Sequence, residues 1–130
     1  MQQALDISGP DNLFRFDEAT LNVIRAGVIQ NFEFTYELSH KMLGRYLQLT
    51  LPNPSVIDEM PFQDIIRTGS EKGLLLNGWD VWKQYRAARS ITSHTYDVDK
   101  AAAVLEITHG FLQEVQYLCG QLERRIIEAD

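Results

Sequence analysis

A chain of 130 residues, 45% hydrophobic and 23% charged, is long enough for one domain with its own core and too short for two of ordinary size. It holds no run of about 18 apolar residues, which excludes a membrane-spanning helix. Its formal net charge of −6 excludes bulk electrostatic coating of nucleic acid.

The elements read as helices throughout, because period-two alternation is scarce and no two-residue hairpin joins apolar runs. The opening MQQALDISGPDN has no basic start and no apolar core of a signal peptide. Its MQQALDIS reads as the last turns of a helix ended by Gly9-Pro10. Asp17 is the predicted N-cap of a long helix reaching about Leu49. Leu21, Ile24, Val28, Phe32, Leu43 and Tyr46 share one stripe of it, with Asn22, Gln30, Glu33, Glu37, Lys41 and Gln48 opposite. Phe34 and Leu38 lie outside the stripe, and this surplus of apolar surface points to a partner subunit.

LPNPS stops that helix, since its two prolines cannot continue it. A shorter helix follows with Pro61 in its first turn, running through Ile65 and Ile66 to about Gly73. The next opens with Asn77 as cap and carries Trp79, Trp82 and Tyr85 at spacing three. The last starts at Asp97 and runs to about Ile127. Its predicted buried stripe is Ala101, Val104, Leu105, Thr108, Phe111, Leu112, Val115, Leu118, Leu122 and Ile126, with Cys119 beside them as a core residue. As the one cysteine, Cys119 has no internal disulfide partner, which fits a cytoplasmic protein. The expected fold is all-α: one up-and-down antiparallel bundle of about four main helices over residues 1–130.

Two Glu-x-x-His pairs, Glu37 with His40 and Glu106 with His109, imitate the ligands of a di-metal carboxylate bundle. Helix phase argues against that use. Glu37 and His40 lie roughly 100° to 160° from Leu21 of their stripe, and Glu106 and His109 roughly 80° to 140° from Ala101 of theirs, whereas bundle metals sit in the core. The Trp79 helix also supplies no carboxylate after Asp80. No metal and no cofactor is expected, and no zinc-protease helix, phosphate-binding glycine loop or Gly-x-Ser-x-Gly elbow is present.

RSITSHTYD, residues 89–97, carries the chemistry. From Val81 to Tyr96 no acid occurs, while Lys83, Arg86 and Arg89 contribute three positive charges, a patch suited to one or a few phosphates. Arg89 and His94 would diverge by about 140° on a continuous helix, so the helix must break between them or a second subunit must complete the site. Thr92, Ser93 and Thr95 favour the break. A guanidinium holds a phosphate and the charge that grows on it, and an imidazole moves a proton to or from an RNA hydroxyl. Ser93 and Thr92 offer further hydrogen bonds. The plainer alternative has Arg89 and His94 serving only the carbonyl end of their own helix.

The same stretch resembles the Arg-x4-His-x-Tyr motif of HEPN-domain proteins, and more specifically the HepT type, also known as nucleotidyltransferase substrate-binding proteins. VIQNFEFTYELSHKMLGRYL, residues 28–47, is similar to that group's long helix, and the resemblance covers roughly residues 21–122. It implies a homodimeric helical bundle and a separate minimal nucleotidyltransferase in a toxin–antitoxin-like pair. It further implies that Arg89 and His94 are the ribonuclease residues and Tyr96 the site at which the partner transfers AMP. A bulky anionic group there would block the site and neutralise Arg89. Two features depart from the family pattern. Ser90 follows the motif Arg where Asn or another strongly polar group is common, and only MQQALDIS stands for the family's first helix.

Three functions follow from these readings. The first is a metal-independent ribonuclease toxin, with Arg86, Lys83 and Ser93 binding RNA phosphate or nucleotide. The second is a non-catalytic subunit that presents nucleotide or substrate to the nucleotidyltransferase. The third is a helical adaptor without chemistry.

Overall fold

The computed structural model describes residues 17–53 and 55–129, so the expectation for MQQALDIS and Gly9-Pro10 lies outside the described residues. In chain order the elements are α1 (Glu18–Thr50), α2 (Ser55–Glu59), α3 (Phe62–Glu71), α4 (Trp79–Ser90), a 3-10 turn (Thr92–His94) and α5 (Val98–Ala129). Among the described residues there is no strand, and no helix is long and apolar enough to cross a membrane.

Each boundary has a local cause. Asp17 caps α1, its carboxylate accepting from Thr20 N at 2.7 Å, and hydrogen bonds to that carboxylate lower its pKa. The helix stops at Leu51, immediately before Pro52. The short α2, which starts at the end of LPNPS, was not foreseen; Gln48 Nε2 ties it to α1 by donating to Asp58 Oδ1 at 2.7 Å. Pro61 precedes α3, and its carbonyl accepts from Asp64 N and Ile65 N. At the other end Leu74 N donates to Gly69 O and Gly73 N to Ser70 O, a Schellman closure that places Gly73 at φ +74°. Asp97 caps α5, with Oδ1 accepting from Asp99 N at 2.9 Å.

The cap of α4 differs from the expectation by one residue. Gly78 occupies that position, because the Asn77 side chain is drawn away to Glu114 Oε1 at 3.1 Å.

Burial broadens the predicted stripe of α1 and narrows that of α5, where Ala101, Leu105, Leu112 and Val115 are half-buried. On α1 Leu21, Val28, Phe32 and Leu43 are buried as expected, Ile24 and Tyr46 are half-buried, and Ile29, Tyr36 and Leu47 join the core. On α5 Val104, Thr108, Phe111, Leu118 and Leu122 are buried, while Cys119 is half-buried at the stripe's edge. Ile126 is exposed, contrary to expectation. Arg125, one residue earlier, reaches Lys72 O beyond the end of α3, and the stripe's cover ends there.

The core is an aromatic cluster that four elements share. Phe32 and Phe111 meet edge-to-face at 5.0 Å, and Trp82 meets Tyr85 at 5.2 Å. Trp82 and Tyr85 both pack on Phe111, so the spacing-three aromatics of α4 key it into α5. Phe32 opposite Phe111, and Glu18 beside Val98, make α1 and α5 run in the same direction. The short corner at 91–97 folds α4 back against α5 as a helical hairpin. Direction therefore alternates from α1 to α4 to α5, and the last turn of α4 is brought against the middle of α1.

Candidate functional site

The helix breaks where the motif requires it. α4 ends at Ser90, Ile91 caps it, and Thr92–His94 form one 3-10 turn closed by His94 N donating to Ile91 O at 3.0 Å. Arg89 is left on the last helical turn and His94 in the corner.

Arg89 does not serve the carbonyl end of its own helix. Its Nε donates to Glu37 Oε1 at 2.8 Å, its Nη2 lies 3.6 Å from Glu33 Oε1, and its Nη1 donates to Thr92 Oγ1 at 3.2 Å. The Thr92 hydroxyl donates in turn to Arg89 O at 2.8 Å, which locks the corner to the guanidinium. A guanidinium has five N–H groups. Three are committed here, which leaves two for a ligand oxygen. The side chain keeps 30% of its surface exposed.

His94 is exposed and makes no hydrogen bond to Arg89; its ring lies edge-on to Tyr96 at 6.1 Å. The corner thus sets a fixed guanidinium beside an exposed imidazole, with no direct hydrogen bond between them. Tyr96 is 84% exposed, at the edge of a groove lined by Arg25, Ala26, Ile29, Val98 and Ala101. A phenol so placed is open to a second protein's active site.

The other predicted residues separate into two groups. Arg86 is exposed, with its guanidinium 5.5 Å from the Phe62 ring centroid, and Lys83 is exposed one turn earlier. Lys83, Arg86 and Arg89 rise along α4 by about 4.5 Å per step while turning about 60° each time. Ser93 is exposed and turns no hydrogen bond toward Arg89; Thr92 does that work. Ser90 Oγ donates back to Ala87 O at 2.6 Å, so it adds nothing to the cleft.

Glu33 and Glu37 are the site residues that the sequence reading placed on a solvated face. One signal pointed to them. The acid-free run from Val81 to Tyr96 gives Arg89 no partner on its own helix, so a counter-charge has to come from another element. Glu37 is therefore occupied by a cation of the chain itself, and His40 meets Phe62 edge-on at 4.4 Å. Glu106 and His109 are both exposed, and among the described residues no group of three or more His, Cys, Asp or Glu side chains gathers.

The family model described as nucleotidyltransferase substrate binding protein like matches residues 2–124. A Haemophilus influenzae protein named Probable ribonuclease HepT is 46% identical over 100 residues, 77% of this chain and 68% of that protein. A solved Haemophilus influenzae structure, described as showing the fold of a substrate binding domain of a nucleotidyltransferase, has a TM-score of 0.87 at 39% identity. The match covers 94% of this chain and 90% of that one.

Proposed function

This chain belongs to the nucleotidyltransferase substrate binding protein like family, and from that premise we propose that it is a HepT-type, metal-independent ribonuclease. In this reading residues 1–130 form one domain, the protein works as a homodimer, and a separate minimal nucleotidyltransferase silences it by AMP transfer to Tyr96. The observation that carries it is Arg89 itself. Its guanidinium is held at a helix end by Glu37, Glu33 and Thr92, with two N–H groups unspent and an unoccupied imidazole in the same corner.

The chemistry uses Arg89, His94 and the same motif in a second copy of the chain. Arg89 binds the non-bridging oxygens of a phosphodiester and stabilises the charge that accumulates on them. The neighbouring 2′-oxygen attacks phosphorus, the P–O5′ bond breaks, and a 2′,3′-cyclic phosphate and a 5′-hydroxyl form. His94 takes the 2′-hydroxyl proton or protonates the departing 5′-oxygen. In a homodimer the second copy of the motif supplies the other transfer. Arg86, Lys83 and Ser93 line the approach of the strand as phosphate contacts. In the silencing step the Tyr96 oxygen attacks the α-phosphorus of ATP, pyrophosphate leaves, and the phenolic proton is lost. The new phosphodiester stands beside His94 and brings a negative charge to the basic corner.

A second reading is a non-catalytic subunit that presents nucleotide to the partner enzyme. The observation in its favour is Ser90, which is bonded to its own helix and leaves the cleft one polar group poorer.

One set of reactions separates the two. Wild-type protein in excess chelator is expected to cut RNA and leave 2′,3′-cyclic phosphate ends. Arg89→Ala and His94→Ala are expected to cut at least about 100-fold more slowly with unchanged melting temperatures. RNA left intact by the wild type sinks the ribonuclease reading and leaves the subunit reading. With the partner enzyme and ATP, one AMP mass is expected on the wild type and none on Tyr96→Phe; no adduct on either removes the switch.

A further inference from the structure

A groove runs from Glu37, the partner of Arg89, along α1 toward α2, lined by Glu37, His40, Lys41, Gly44, Arg45 and Ile57. Glu37, His40, Lys41 and Gly44 lie within about 100° of arc on that helix, so they present one continuous edge. Beside it, at the start of α3, Phe62 packs against His40. His40 meets the Phe62 ring edge-on at 4.4 Å, and Arg86 reaches the same ring from α4 with 5.5 Å between guanidinium carbon and ring centroid. One aromatic ring therefore holds an imidazole and a guanidinium together, one helical turn from Arg89.

The charges around this point are uneven. Glu33 and Glu37 are spent on Arg89. Lys41, Arg45, Lys83 and Arg86 are exposed, and among the described residues none of them forms an ion pair. Burial pushes the His40 pKa below its ordinary 6.5, Glu37 opposes that shift, and the Arg86 charge adds to it. At neutral pH the ring is therefore uncharged. It does not compete for phosphate, and it offers a stacking face with one donor and one acceptor, which suits a nucleobase. Arg86, held over Phe62, suits the phosphate.

We propose that His40, Phe62 and Arg86 form a nucleotide subsite for single-stranded RNA, with Arg86 on the phosphate next to the cleaved one and His40 against the adjoining base. The strand then passes from the cleavage centre over Arg86 and His40 into the groove between α1 and α2, in reach of Lys41 and Arg45. A duplex does not fit this description, because its bases are stacked and paired and cannot reach His40. The proposal takes only the position of the cleaved bond from the ribonuclease reading.

The test uses the full chain and a dye-labelled single-stranded oligonucleotide, 2′-O-methylated throughout so that it cannot be cut, with affinity read by fluorescence anisotropy. His40→Ala and Arg86→Gln are each expected to weaken binding at least about fivefold, as loss of one stacked base or one phosphate contact does. Phe62→Leu, which keeps the volume apolar, is expected to weaken both contacts together, and melting curves check that each variant is folded. An oligonucleotide made abasic at one position is expected to bind the wild type at least about fivefold less tightly, with no further loss on His40→Ala. If removing the base costs the same in wild type and His40→Ala at every position, or if the wild type does not bind the oligonucleotide, the subsite is refuted. Displacement by ATP with equal His40 dependence would reassign the groove to free nucleotide and also refute it. Binding that depends on His40 while unmodified RNA stays uncut keeps the subsite and removes the ribonuclease. Cleavage with no His40 dependence does the reverse.

Discussion

Glu114 shows how much one side chain can organise. It sits within the apolar stripe of α5 with 0% of its surface exposed, and its carboxyl accepts from Leu76 N at 2.6 Å, Asn77 N at 3.2 Å and Asn77 Nδ2 at 3.1 Å. The loop entering α4 is thereby pinned to α5. Trp82 Nε1 lies near the same carboxyl and draws its pKa down a little, yet it falls outside hydrogen-bond geometry and stays unpaired. Desolvation outweighs all these donors and raises the Glu114 pKa above its ordinary 4.5. The folded state then holds a proton that the unfolded state has released, so Glu114's contribution is full below pH 4.5 and is lost as pH rises through the folded value. Melting curves from about pH 4 upward should show the wild type's advantage over Glu114→Gln shrinking as pH rises. A constant gap would mean that the carboxyl does not titrate above its ordinary range. Glu114→Ala should cost roughly 1–3 kcal/mol for each buried donor left unpaired.

At the scale of elements, the ends of the helices matter more than their lengths. The Schellman closure of α3 depends on the positive φ of Gly73, which lets Leu74 turn inward and be fully buried. Gly73→Ala forces a β-carbon into that conformation and should lower stability by about 1 kcal/mol, measured by urea unfolding with an unchanged m-value. Asp97→Ala removes the cap of α5, at about the same cost. It differs in its second effect. The Asp97 backbone N donates to His94 O, and the α5 cap fixes where the corner ends, so the proposed RNA cleavage should fall more in Asp97→Ala than in Gly73→Ala at matched stability. Equal activity in the two would show that the corner holds its shape without α5.

For the whole molecule, the exposed face of α1 is decisive. Phe34, Leu38, Met42 and Leu49 stay exposed along it, with Phe34 at 68% and Leu49 at 81%. They lie on the same helix as Glu33 and Glu37, turned away from the core. An apolar stripe in that position is what the proposed homodimer would bury, bringing two Arg89 corners close together. Light scattering on wild type and Leu38→Glu tests this: the expected result is a dimer for the first and a monomer for the second, with the same helical content. A wild type that is monomeric at micromolar concentration removes the shared-site part of the mechanism.

The sequence by itself determined the helical class, the long first and last helices with their Asp caps, and the break after Arg89. These are local matters, decided by 3.6-residue periodicity, by proline, and by side chains that bond their own backbone within four residues. The motif residues were legible for the same reason, because Arg89, His94 and Tyr96 lie within one short stretch. Asn77 misled because its side chain obeys a residue 37 positions away, and Cys119 and Ile126 because stripe membership does not say where a neighbour ends. Only the tertiary structure decided that Glu37, 52 positions from Arg89, is its partner, or that His40 and Arg86 share Phe62. Such contacts depend on which faces two helices turn to each other once the aromatic core is packed, and no spacing along the chain encodes them.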